Sequence, residues 1–265
     1  MQPNRQALRL EHNGSGLATI TFTQAERGNP IDDNFCRQFL EAMNSLSTAK
    51  PLRAVLIRAE GPNYSFGGDI KAFAANLDTL PDMIYRCTAD LNMGIIRALH
   101  LPVPVIAQVH GWAMGGAVAM MAGADVVIAG ESSRFGAAFT RIGLSCDSGA
   151  SVTLTLRMGV ARARRFMMLD EVLTAAEAKA AGLVDDLVPD AELAARAQAL
   201  AERLASGPTV AFGESKRLFL RAGAAWMENQ LEEEARTIAR VVRSDDARQA
   251  ILAFVDKRKV VFNGR

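Results

Sequence analysis

The pattern of apolar and polar positions splits the chain into a strand-bearing first half and a mainly helical second half. Short apolar runs at 7–11 and 17–22 flank Asn13-Gly14-Ser15-Gly16, a tight-loop composition, and predict an opening β-hairpin. Ile31, Phe35, Phe39, Ala42, Met43 and Leu46 then recur at helical spacing behind Asp32 and Asp33, which suit a helix start, and Pro51 bounds that helix. Residues 53–58 (RAVLIR), 104–109 and 125–129 (DVVIA) read as buried strands. Between them lie a loop at 59–69, a helix over 82–99 and a turn at 111–116 that enters a short apolar helix. Strands separated by helices need crossover connections, so the pattern predicts an α/β core. From about Ser148 onward there is one strand-like run, 183–188, among helices at 191–205, 214–220, 228–242 and 245–257. Their mixed Arg and Glu predict solvated or interfacial faces.

Composition narrows the function classes. With 265 residues, 49% apolar, the chain is long enough for one substantial domain plus an accessory element. A net charge of +1 gives no footprint for nucleic acid or an anionic membrane, so neither partner is expected. Cys36, Cys87 and Cys146 form no CxxC pair, which predicts no disulfide framework, no metal site and a reducing, cytoplasmic setting. The opening MQPNRQALRLEHNGSG has no apolar signal core, and the chain is expected to begin there. The apolar stretch 111–124 falls short of the roughly 18 residues a membrane span needs.

Two segments stand out as chemistry. Tyr64-Ser65-Phe66-Gly67-Gly68-Asp69-Ile70-Lys71 follows RAVLIR, and His110-Gly111-Trp112-Ala113-Met114-Gly115-Gly116-Ala117 follows VPVIAQV. In each, a core strand runs into a Gly-containing loop that enters a helix. Glycine there lets a ligand approach the main chain, and the helix start adds partial positive charge where an oxyanion could sit. The same pattern also serves as a packing device, and spacing alone does not separate the two readings. No HExxH, Cys/His cluster or Walker-type GxxxxGK[ST] argues for another mechanism.

Taken with ERGNPID, AVLIRAEGPNYSFGGDIKAF, LPVPVIAQVHGWAMGGAVAMMAGADVVIA, SRFGAAFTRIGLSCDSGAS and LTAAEAKAAGLVDDLVP, these loops resemble the enoyl-CoA hydratase/isomerase, or crotonase, superfamily over nearly the whole chain. The resemblance implies a crotonase (ClpP-like) ββα spiral at 1–190 that binds acyl-CoA. It further implies a helical C-terminal region at 191–265 that packs on a neighbouring subunit, in a homotrimer or a dimer of trimers. It implies coenzyme A as part of the substrate and no other cofactor, in fatty-acid or aromatic acyl-CoA metabolism. By motif position, the N–H groups of Gly68 and Gly116 would hold the thioester oxygen. Phe66, Gly67, Asp69, Ile70, Trp112, Gly115 and Phe139 would line the substrate site, and Arg27, Lys71, Lys257 and Phe262 would contact CoA phosphates and adenine. Acyl-pocket shape is expected to depend on a mobile segment around 76–86.

The chain departs from the hydratase pattern at its acid/base positions. The two glutamates that activate water in hydratases of this family correspond to Ala119 and Phe139, neither of which transfers protons. Asp147, in Ile142-Gly143-Leu144-Ser145-Cys146-Asp147-Ser148-Gly149, resembles the aspartate of epoxyphenylacetyl-CoA isomerase-type enoyl-CoA isomerases. That likeness implies a single-Asp proton shuttle, whereas the residues alone favour a helix N-cap before Ser-Gly. Asp147 is expected to gain a raised pKa from burial near Phe66, Trp112 and Phe139. Asn92 stands where a related dehalogenase has histidine, which argues against dehalogenation. His110 reads as a hydrogen-bonded turn residue, and Cys146 as a small pocket-lining side chain. The favoured expectation is an isomerase. The alternatives are a hydratase or other crotonase-family reaction with acid/base groups from elsewhere, and a non-catalytic acyl-CoA-binding protein.

Overall fold

Asn13 closes the first hairpin, its Oδ1 accepting from the N–H groups of Ser15 at 3.2 Å and Leu17 at 2.9 Å. This loop joins β1 (Leu8–His12) to β2 (Leu17–Phe22), paired antiparallel as the sequence predicts. The computed structural model describes residues 5–224 and 226–264. After β2 the chain runs through α1 (Asp33–Thr48), β3 (Ala54–Ala59), α2 (Ile70–Ala75), α3 (Leu80–His100), β4 (Val105–Val109), β5 (Trp112–Met114) and α4 (Gly116–Ala122). Next come β6 (Val126–Gly130), β7 (Arg134–Gly136), α5 (Ala150–Met158), α6 (Val160–Met168), β8 (Val172–Thr174), α7 (Ala175–Ala180) and β9 (Asp186–Val188). Four helices close it: α8 (Leu193–Ala205), α9 (Thr209–Ala224), α10 (Met227–Val241) and α11 (Asp245–Val255).

The larger sheet has strand order β1-β2-β3-β4-β6-β9 and is parallel from β2 to β9, each parallel step bridged by a crossover as expected of an α/β core. Alternation assigns the two faces. Ala18, Ile20, Val55, Ile57, Val105, Ala107, Val127 and Ala129 point into the main core with α1, α3, α4 and α5. The intervening Leu17, Ala54, Leu56, Ile106 and Ile128 meet Leu193, Ala197, Ala201 and Ala205 of α8. The small residues of α8 recur at every fourth position, which lets that helix lie close on the sheet.

A second sheet, β5-β7-β8, stands at the ends of the core strands. Its strands are three residues each, too short to show a period in sequence, so the stretch read as a turn at 111–116 contains β5. The run read as a strand at 183–188 pairs only over β9, because Leu183 and Val184 turn into the core before the ladder begins. The helix read at 214–220 extends over the whole of α9. Residues 80–86, expected as part of a mobile segment, form the first turns of α3, with Leu80 and Ile84 buried against Ile142, Leu144, Ile238 and Ile251. In the region 191–265, α8 covers the sheet and α10 packs on α3 and α5 of the same chain. No helix among the described residues is long and apolar enough to cross a membrane.

Leu56 lies between sheet and α8 with no exposed surface. Leu56→Ala is expected to cost about 2–5 kcal/mol of stability, seen as a lower denaturant midpoint at unchanged slope.

Candidate active site

The two Gly-containing loops are stitched together by their backbones. Tyr64 N–H donates to His110 O at 3.0 Å, Ser65 N–H to Trp112 O at 3.1 Å and Met114 N–H to Ser65 O at 3.0 Å. On its other side the first loop is held by Phe66 N–H to Gly28 O at 3.0 Å and by Ile31 N–H to Gly67 O at 2.9 Å. Ser65 is fully buried, its hydroxyl donating to Asn29 O at 2.7 Å and accepting from Gly67 N–H at 3.1 Å. The second loop is fixed by Gly115 N–H to Gly136 O at 3.0 Å, a bond that continues the small sheet.

Two glycines have no substitute at this seam. Gly67 has φ +79°, and a Cβ there would lie 2.7 Å from Met114 O and 3.5 Å from Gly116 N. Gly115 has φ 56° and ψ −128°, a backbone region open only to glycine, and sits just before α4. Among the described residues, neither Gly68 N–H nor Gly116 N–H donates to a protein acceptor. Two adjacent loops thus each present an uncommitted peptide N–H at a glycine beside a helix start.

Asp147 approaches from a third segment. A Cβ on Gly116 would meet Ser148 Oγ at 2.6 Å, and Ser148 Oγ donates to Asp147 Oδ1 at 2.8 Å. Asp147 Oδ2 accepts from no protein donor among the described residues. Ser148 is buried with φ 58°, and Gly149 follows at φ 76°, so two consecutive left-handed residues aim the carboxylate away from the helix that follows. The cap alternative for Asp147 is not realised. The N-cap of α5 is Gly149, and Asp147 lends that helix only its backbone carbonyl, which accepts from Ala150 N–H at 3.0 Å.

The α5 cap is supplied instead by Glu234, which the sequence pattern alone had not singled out. Glu234 is 4% exposed on α10, and its Oε2 and Oε1 accept from Gly149 N–H at 2.7 Å and Ser151 N–H at 2.8 Å. The mixed Arg and Glu of this helix predict a solvated face, and its other charged residues are indeed exposed. A signal for the exception lies in the spacing. Met227, Leu231, Glu234, Ala235 and Ile238 share one buried stripe, and a carboxylate inside an apolar stripe needs a partner.

Burial raises the Asp147 pKa from its ordinary 3.8 to about 7; the Ser148 hydrogen bond opposes the rise and the Glu234 charge adds to it. Burial also raises Glu234, against the lowering effect of its N–H donors at Ser151 and Gly149. Burial first, then the charges of Glu234 and Asp147, push the Cys146 thiol up to about 12, which removes it as a nucleophile.

The other residues that the motifs single out separate into groups. Arg27 is tied to Asp32 at 2.8 Å and Asp69 at 2.6 Å, the two residues that cap α1 and α2. Asp69 accepts from Ala72 N–H at 3.1 Å as the N-cap of α2. Phe66, 48% exposed, lies over Gly28, and Trp112 is 38% exposed. Ile70 is half-buried and Lys71 exposed at the start of α2. Lys257 is exposed past the end of α11, and Phe262 lines a groove with Thr140, Ser145 and Val241. Ala119 and Phe139 are buried, so apolar groups fill both positions where the hydratase pattern has carboxylates. His110 Nε2–H donates to Gly61 O at 2.8 Å, as expected of a turn residue.

A family model described as enoyl-CoA hydratase/isomerase matches residues 12–265. The chain belongs to this family. Within it, 1,2-epoxyphenylacetyl-CoA isomerase of Escherichia coli (strain K12) is 32% identical over 97% of this chain and 98% of its own length. A protein of Rhodobacter capsulatus named probable enoyl-CoA hydratase is 33% identical over 94% of this chain and 95% of its own. The solved enoyl-CoA hydratase of Mycobacterium avium subsp. paratuberculosis K-10 superposes with a TM-score of 0.88 at 29% identity, covering 97% of this chain and 98% of that one. The crotonase fold, the α/β core and the helical C-terminal region expected from the sequence are therefore those of this chain, and hydratase and isomerase names both occur among its relatives.

Gly67→Ala is expected to push the two loops apart at Met114 O and to spoil the aim of both free N–H groups. Its predicted effect is a loss of about 100-fold or more in acyl-CoA turnover, as for removal of one oxyanion donor, measured beside a circular dichroism spectrum that stays folded.

Proposed function

We propose that this member of the enoyl-CoA hydratase/isomerase family is an enoyl-CoA isomerase that moves a proton with one carboxylate, Asp147. The observation that carries the reading is that carboxylate itself: one oxygen held by Ser148, the other unpartnered, beside the loop that bears the free Gly116 N–H. The buried Ala119 and Phe139 favour it over hydration, which needs one group to activate water and another to deliver a proton. The name of the Escherichia coli relative, an isomerase, points the same way.

In the proposed reaction, Asp147 as carboxylate takes a proton from Cα of a 3-enoyl-CoA thioester. The C–H electron pair becomes the Cα–C(carbonyl) double bond of a dienolate, and negative charge moves onto the thioester oxygen, where Gly68 and Gly116 N–H donate to it. Protonated Asp147 then returns the proton to Cγ, the double bond moves to Cα–Cβ and the carbonyl is restored. One proton and one electron pair move within the substrate, and no co-reactant is consumed. A carboxyl with a pKa of about 7 suits both halves of this cycle, since it gives and takes a proton with little bias at neutral pH. Exposed Lys71 and Lys257 remain the proposed cationic contacts for CoA.

Asp147→Asn is expected to lower conversion of 3-enoyl-CoA by at least about 100-fold, together with solvent-deuterium incorporation at Cα and Cγ. Unchanged conversion, or efficient hydration of crotonyl-CoA by the wild type, would overturn the assignment. The wild-type kcat/KM is expected to rise with pH through an acidic limb near 7, where Asp147 becomes the base. The stability sign is opposite. Between about pH 4 and pH 7 the folded state keeps the Asp147 proton that the unfolded chain has lost, so folding stability falls as pH rises through this window. Asp147→Asn should therefore raise Tm at pH 7.5 and leave it little changed at pH 4.

A further inference from the structure

We propose that Glu234 is the positioning residue of the Asp147 site: by capping α5 from another helix it frees the Asp147 carboxyl for proton transfer and sets a second titratable carboxyl beside it. This rests on the reading of Asp147 as the proton shuttle.

An aspartate before Ser-Gly at a helix start ordinarily turns its side chain onto the helix N–H groups. Here those donors are already used, because Glu234 spans Gly149 N–H and Ser151 N–H with its two oxygens at 2.7 and 2.8 Å. The placement of Glu234 is itself built. Gln230, one turn earlier on α10, donates from Nε2 to Ser151 Oγ at 2.8 Å, and Asn92 of α3 donates from Nδ2 to Leu231 O at 2.9 Å. Glu234, Gln230 and Asn92 together lock α10 against α3 and the start of α5. With its cap role taken, the segment turns through left-handed Ser148 and Gly149, and the carboxyl of Asp147 is left with one donor, the Ser148 hydroxyl.

Two neighbours then act on Asp147 with opposite sign. Ser148 donates to its carboxylate and favours the ionised form, while the Glu234 charge disfavours it. The other titratable group facing it is the Cys146 thiol. α4 carries no ionisable side chain, and α3 contributes Ile95 against Gly149 and Asn92 against α10. The remaining charged residues of α10 (Glu228, Glu232, Glu233, Arg236 and Arg240) are all on its exposed side.

The test is a pair of pH profiles in the full-length protein, with kcat/KM for 3-enoyl-CoA followed from pH 5 to 9, beside a 13C titration of the Asp147 carboxyl that needs no turnover. Glu234→Gln keeps the size and one acceptor of the cap but removes the charge. Its acidic limb and its Asp147 titration are expected to move down by on the order of half a unit or more. Ser148→Ala removes the donor, and both readouts are expected to move up. A role for Glu234 in stability alone would lower Tm and leave both readouts at their wild-type positions, which would overturn the inference. If Glu234→Gln does not fold, the wild-type titration decides. A two-step curve at Asp147 with its second inflection at the Glu234 pKa supports the coupling, and a single step with none sinks it. Asp147→Asn separates this failure from that of the isomerase reading: activity surviving in that variant removes the shuttle itself, whereas its loss with unmoved profiles removes only the part assigned to Glu234.

Discussion

The contact between two lengths of bare backbone, Gly67 against Met114 O and Gly116 N, is the constraint on which the rest of this site depends. A methyl group at Gly67 would stand 2.7 Å from a carbonyl oxygen, so the loops approach as they do only because neither has a side chain at the seam. The large parallel sheet brings them there. β3 and β4 are neighbours in register, so the loops leaving their ends emerge side by side, and the Ser65–Ala113 bridge continues that pairing beyond the sheet. At the end of this pairing the N–H groups of Gly68 and Gly116 are left without a protein acceptor. A desolvated orphan donor costs stability, which is why the two are the proposed partners of a substrate oxygen.

The same trade governs the carboxylate. Asp147 is the first residue of a helix entry and would stabilise the fold by about 1 kcal/mol if it capped α5. It does not, and Glu234 reaches across from α10 to do so. Two acidic side chains, Glu234 buried and Asp147 half-buried, are therefore set near one another where one would have served, each held away from its ordinary pKa by the loss of water. That arrangement is unfavourable as structure and useful as chemistry, because a carboxyl pushed to about 7 exchanges its proton freely at neutral pH. The C-terminal region thus reaches the start of α5, next to Asp147, through Glu234.

What was legible in the sequence follows from the range over which each signal acts. The hairpin, α1, β3, β4 and the Gly-Gly loops carry local signatures, such as Asn13 with Gly14 and Gly16, Asp32 as cap of α1, and unbroken apolar runs. The three-residue strands β5, β7 and β8 have no period to read, and they form by pairing with one another across distant parts of the chain. Arg27 looked like a candidate for an anionic ligand because its carboxylate partners, Asp32 and Asp69, are 5 and 42 residues away, and the fold alone unites them. Glu234 lies 85 residues from Gly149, and only the apolar stripe around it on α10 marked it as buried. The composition of the motifs pointed to the family, which the match over residues 12–265 shows.

Ala119 and Phe139 bring these threads together. In a site with two carboxylates flanking the oxyanion donors, each would keep water close for the other's charge to be tolerated. Here both positions are apolar and buried. In such surroundings an aimed N–H is worth more to a developing oxyanion, and an isolated carboxylate costs more to ionise. In the proposed isomerase, the same two positions lack groups that could activate water, and proton movement is left to Asp147. Loss of the paired acids and retention of Asp147 are, in physical terms, one change in the character of the site.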